Sequence, residues 1–177
     1  MHSGHRERSS AVGIRYRYCE RARYGTQSTL WYLRITMVVF DPRTATDAVA
    51  LLVHLAGGRL NRVAVLKLLY FAEREALATY GTTITGGTFY ALEHGPIVSE
   101  VYALIKGKLA SKRWSTYLKS DQNDVVLISQ PSNDYLSKVD EKLLRKHWEL
   151  HRGKVGSGYP KALVEYSHSL PDRKSVV

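Results

Sequence analysis

A single cysteine, Cys19, excludes an internal disulfide framework and agrees with a reducing cytoplasm. No apolar run approaches the roughly 20 residues that a membrane-spanning helix needs. The N-terminal stretch MHSGHRERSS carries the charge of an export signal, but no apolar stretch follows it, so export is not expected. There is no internal repeat, and no acid, base and nucleophile fall into a catalytic arrangement. These absences leave a soluble, cytoplasmic domain, and 177 residues is most simply one domain with a real core.

Acids are also in short supply. The chain has 26 Lys and Arg against 16 Asp and Glu, a formal charge of +10. Half of that sits in residues 1–36, where seven arginines (6, 8, 15, 17, 21, 23 and 34) face Glu7 and Glu20, so 7 − 2 gives +5. This segment has no lysine and no sustained hydrophobic period. It reads as a basic, disordered extension, with Met37 as the natural start of a domain spanning 37–177. The rival reading is a nucleic-acid arm, because Arg15-Tyr16-Arg17-Tyr18 interleaves cationic and stacking side chains.

From Phe40 onward the patterning is regular. Asp41-Pro42 starts a helix as N-cap and first helical residue. Ala45, Ala48, Val49, Leu52, Val53 and Ala56 then give it one apolar face, and Gly57-Gly58 stops it. Asn61 caps a second helix that ends at Tyr80-Gly81. Val63, Leu66, Leu69, Tyr70 and Leu77 are expected inward; Lys67, Arg74 and Glu75 are expected outward. A glycine-rich turn leads to a β-like patch, Phe89-Tyr90-Ala91-Leu92, and a break at His94-Gly95-Pro96. A third helix, capped by Ser99, is expected to reach Lys106. Trp114, Thr116 and Leu118 alternate with polar residues, and with Val125 to Ile128 they predict a hairpin. Ser137 and Asp140 resemble a capping box for a helix in which Leu143, Leu144, His147 and Leu150 recur at helical spacing. A glycine-rich linker, a short helix over Pro160 to Ser167 and a frayed tail from Asp172 complete the chain. The expected class is mainly α, within α+β: a compact helical domain with a small antiparallel β-hairpin.

Each candidate for chemistry meets a plainer reading. His147 and His151 could share a metal, but Trp148 stands where the metalloprotease pattern needs Glu, and no third ligand is spaced to help. They read better as a half-exposed helical face. The glycine-rich Gly153 to Gly158 follows a helix rather than a strand, so it reads as a linker, not a phosphate loop. Glu73 and Glu75 do not share a helix face, and with Glu93 they read as surface. Lys67 and Arg74, seven apart, could form a basic stripe for DNA. The helix–helix–helix–hairpin order loosely imitates a winged helix, although the connection after Gly81 far exceeds the roughly 3–4 residues of a helix-turn-helix. Tyr70 and Tyr102 are expected in the core. Phe89 and Tyr90 point to opposite faces of a strand, so one should be exposed as a protein-binding anchor.

The ordered series Lys67-Leu68-Leu69-Tyr70-Phe71-Ala72-Glu73, Tyr80-Gly81, Ile84-Thr85-Gly86, Phe89-x-Ala91, Gly95-Pro96-Ile97-Val98 and Val101-Tyr102 resembles the Panacea antitoxin domain. Leu136-Ser137-x-x-Asp140 and Ser167-His168 extend the resemblance, from Phe40 to about Pro171. It implies a non-catalytic helical domain, without metal or cofactor, that neutralises a protein toxin encoded by a neighbouring gene. Neutralisation would be by direct contact or as a proteolysis adaptor, with DNA binding as the second choice. Lys67, Leu69, Tyr70, Gly81, Ala91, Tyr102 and His168 are its scaffold positions. Phe89, Tyr90, Glu93, His94, Gly95, Pro96 and Val98 are the candidate toxin contacts. Gly87 departs from the acidic residue that commonly follows Ile-Thr-Gly, and Asp172 from the aromatic that follows the late His-x-x-Pro.

Overall fold

In the computed structural model the described residues are 39–156 and 158–170. The arginine-rich residues 1–36, Cys19, Met37 and Asp172 to Val177 lie outside them.

Helix α1, Pro42–Leu55, starts as its sequence dictates: the Asp41 carboxylate accepts from Arg43 N at 3.0 Å, and proline occupies the first turn. The expected single apolar face is a correction. Every residue from Ala45 to Val53 is buried, including Thr46 and Asp47, because three other helices and two strands pack against α1. Each fully buried Leu or Val there contributes about 1.5–3 kcal/mol. The buried Asp47 is fully partnered. It receives Arg113 Nε at 2.6 Å and Nη2 at 2.9 Å, and Tyr135 N at 3.0 Å. Such a bidentate pair is what makes a buried carboxylate tolerable.

After the Gly57-Gly58 stop comes a strand that sequence patterning did not show, β1, Arg59–Asn61. Helix α2, Arg62–Tyr80, follows directly, with Asn61 Oδ1 accepting from Val63 N at 2.9 Å. Its amphipathicity runs along the helix rather than around it. Ala64 to Glu73 is buried without interruption, whereas Leu77 to Tyr80 is exposed. Lys67 (1% exposed) and Glu73 (0%) are therefore inside, and Leu77 (43%) is outside, reversing three expectations.

The remaining elements are β2 (Phe89–Leu92), β3 (Gly95–Val98), α3 (Ser99–Ile105), α4 (Lys112–Tyr117), β4 (Leu118–Asp121), β5 (Asp124–Leu127), α5 (Lys138–His151), a 3-10 turn at Arg152–Lys154, and α6 (Lys161–Ser169). The class is mainly α with antiparallel β, as expected, but the described residues form two β elements. One is a three-stranded sheet in the order β1-β5-β4; the other is the β2–β3 hairpin. Trp114 and Thr116 belong to α4, not to a strand, because Ser111 caps that helix through Trp114 N. The Ser137–Asp140 capping box on α5 is present as read. Ser99 is not a cap: α3 starts after Val98 with no side-chain cap, and Ser99 Oγ instead donates to Glu100 at 2.9 Å. On α5, Leu150 is 58% exposed and His151 takes the inward place, under the Phe71 and Tyr166 rings at 4.9 and 4.8 Å.

Candidate functional site

The β2–β3 hairpin is positioned by contacts from α1, α2, α3 and α6 and from the loop before it. Its approach is fixed first. The buried Glu73 carboxylate accepts from Ile84 N at 2.5 Å, from Thr85 N at 2.9 Å and from the Thr85 hydroxyl. Burial raises the Glu73 pKa, and the Thr85 and Ile84 donors oppose that rise. Thr85 O in turn accepts from Asp41 N at 3.0 Å. Gly86 lies so close to this neighbouring chain that a Cβ there would sit 2.5 Å from Val39 O. Glu100 then ties the start of the hairpin to α3, accepting from Thr88 N at 2.7 Å and Thr88 Oγ1 at 2.8 Å.

The strands pair Phe89 with Val98, Tyr90 with Ile97, Ala91 with Pro96 and Leu92 with Gly95, leaving Glu93-His94 as a two-residue turn. Three contacts hold the inner side. Lys67 Nζ donates to the Pro96 carbonyl at 2.8 Å, and desolvation lowers the Lys67 pKa to about 8. Gly95, at φ +85°, meets α6 backbone to side chain: a Cβ would lie 2.7 Å from both Ser167 Oγ and His168 Cδ2. Only glycine combines that left-handed backbone with such an approach. The Phe89 ring packs edge-on to Tyr70, 5.4 Å between centroids and 80° between planes.

The outer side is left open. Tyr90 is 59% exposed and Leu92 41%, and Ala91, Glu93 and His94 are exposed beside them. His94 meets the exposed Tyr159 edge-on at 5.7 Å. Of the seven candidate contacts, Tyr90, Glu93 and His94 thus lie on the surface, while Phe89 and Pro96 are half-buried. Gly95 and Val98 are corrections. Val98 is fully buried under the hairpin and Gly95 is covered by α6, so neither presents a side to a partner. Leu92 and Tyr159 join the surface instead. Leu92 could have been found from its alternation with Tyr90, whereas nothing in the sequence places Tyr159 beside residue 94.

Among the scaffold positions Leu69 and Tyr70 are core, Tyr102 and His168 are half-buried, and Gly81 ends α2 with its N–H on Leu77 O at 3.0 Å. Ala91 is exposed although it shares the Phe89 face of β2. The basic stripe does not exist on the surface, because Lys67 is inside.

His147 and His151 are buried, not half-exposed. Their rings lie nearly parallel, 8° apart, with centroids at 5.8 Å. His147 Nε2 lies 3.0 Å from Glu75, which also takes Lys146 Nζ at 2.7 Å. Desolvation lowers both imidazoles, His151 to about 4. Among the described residues no three His, Cys, Asp or Glu side chains gather to hold a metal. Nor is any helix there long and apolar enough to cross a membrane.

The sequence model of one family, described as antitoxin SocA-like, Panacea domain, matches residues 65–172. The chain belongs to that family. The matched part of the Panacea domain starts inside α2, later than Phe40, and contains the Glu73 clamp, Lys67, the whole hairpin and α6. No curated protein and no solved structure matches the chain.

Proposed function

We propose that this Panacea-domain protein is the antitoxin of a toxin–antitoxin pair. It binds a protein toxin encoded by a neighbouring gene and neutralises it, directly or by delivering it to a protease, without chemistry of its own. The carrying observation is the hairpin: its inner side is fixed by Lys67, Gly95 and Phe89, while Tyr90, Leu92 and His94 stand in solvent. A rigid turn carrying exposed aromatic side chains is a low-entropy anchor for a protein surface. Membership of an antitoxin-like family supports the same role.

The test is co-expression. The neighbouring gene product should arrest growth alone and be tolerated together with this protein. Tyr90→Glu should abolish the rescue while the circular-dichroism spectrum and melting temperature stay at wild-type values. Toxin that persists in rescued cells would indicate occlusion; toxin that disappears would indicate delivery to a protease. A neighbour that is harmless alone, or full rescue by Tyr90→Glu, rejects this reading of the hairpin.

A further inference from the structure

Away from the hairpin, the loop between α3 and α4 borders a groove of about 680 Å³. Leu109, Trp114 and Leu118 contribute its apolar side chains, and Lys106, Lys112 and Lys119 stand around it, all three exposed. No carboxylate lines it. The sequence reinforces the imbalance: from Val101 to Ser120 there are five basic residues and no acid. One of the five, Arg113, is committed to Asp47. Among the described residues Lys106, Lys112 and Lys119 enter no ion pair, although Lys106 Nζ lies 5.7 Å from the Tyr102 ring centre.

An apolar groove edged by one sign of charge selects its occupant. Apolar contact asks for leucine-like side chains, and the lysines ask for carboxylates. The chain itself is a poor source. Residues 1–36 carry +5 and a second copy carries +10, so both would meet like charge. Single-stranded nucleic acid suits the groove less well, because base stacking needs an open aromatic face and Trp114 is only 8% exposed. We infer that this groove docks an acidic amphipathic segment of a partner protein, with carboxylates on Lys106, Lys112 and Lys119 and an apolar side chain against the exposed Leu109 and Ala110, beside the largely buried Trp114 and Leu118. It shares no lining residue with β2–β3, so it stands independently of the toxin reading.

The test uses the purified full chain and a fluorescein-labelled helical peptide with leucines on one face and glutamates on the other, followed by anisotropy. The peptide should bind and weaken with salt, and a counterpart with lysines for glutamates should not bind. Lys106→Glu/Lys112→Glu/Lys119→Glu should weaken binding by about tenfold or more, since exposed like charges now face the peptide. Leu109→Asp should also weaken it. Lys142→Glu/Arg145→Glu, on the exposed face of α5, should leave it unchanged. Equal loss from the α5 pair overturns the proposal in favour of general charge attraction. Equal binding by a peptide with serines for leucines also overturns it. So does an oligothymidylate that binds more tightly and is lost in the same lysine variant, which would make the groove a nucleic-acid site.

Discussion

The two β elements are built alike and held differently. Each has a pair of four-residue strands closed by a two-residue turn, Glu93-His94 in one and Gln122-Asn123 in the other. In the second, a third strand completes the sheet: β1 pairs along β5, and Arg59 reaches Asp121 and Asp124 at 2.7 and 2.9 Å. Among the described residues the β2–β3 hairpin has no third strand, and a lone hairpin is at best marginally stable in water. Buried polar contacts hold it from beneath, through Lys67 on the Pro96 carbonyl, Glu73 on the preceding loop and α6 against Gly95. The difference matters for function. A hairpin held from one side leaves Tyr90 and Leu92 exposed on the other, whereas the strands of the three-stranded sheet hold one another edge to edge.

The largest break in that comparison should come from Gly95→Val. A branched side chain at φ +85°, driven into Ser167 and His168, should cost about 3 kcal/mol or more in urea unfolding. The turn of the other hairpin already holds a non-glycine residue at positive φ, the exposed Gln122 at +53°. Gln122→Ala should therefore cost far less, and equal costs would contradict the asymmetry.

Lys67→Met is the intermediate case. Burial lowers the Lys67 ammonium to about 8 from 10.5, so between those values the unfolded chain binds more protons than the folded one. Wild-type stability therefore rises as pH goes from about 8 to 10.5, a contribution the Met variant lacks. The wild type should gain on the order of 1–3 kcal/mol over Lys67→Met across that window. Parallel stability curves would show that Lys67 is not desolvated. The same variant leaves the Pro96 carbonyl without its donor, so amides of β3 should exchange faster while those of β5 are unchanged. The smallest effect belongs to Arg59→Ala, which removes two solvent-exposed ion pairs and should leave the melting temperature essentially unmoved.

How much of this was legible divides along the same line. Signals that act within a few residues were readable: Asp41-Pro42, Asn61, the Ser137–Asp140 box, and the glycine stops at 57–58 and 81. Charged residues with distant partners were not. Lys67, Glu73 and Asp47 would be placed outside by composition, yet each is buried against groups 29, 11 and 66 positions away respectively. Strand β1 failed for a related reason, since three residues carry no period and its pairing comes from β5. The candidate contact stretch was located correctly as a turn, but burial at Gly95 and Val98 depends on α6 and α2, which the local sequence cannot show.

The most direct test is hydrogen exchange of the protein alone and with the neighbouring gene product. The account predicts added protection over Tyr90 to His94, with β4–β5 unchanged. A complex that forms while those amides exchange at the free rate would contradict the assignment of the hairpin as the toxin-binding surface.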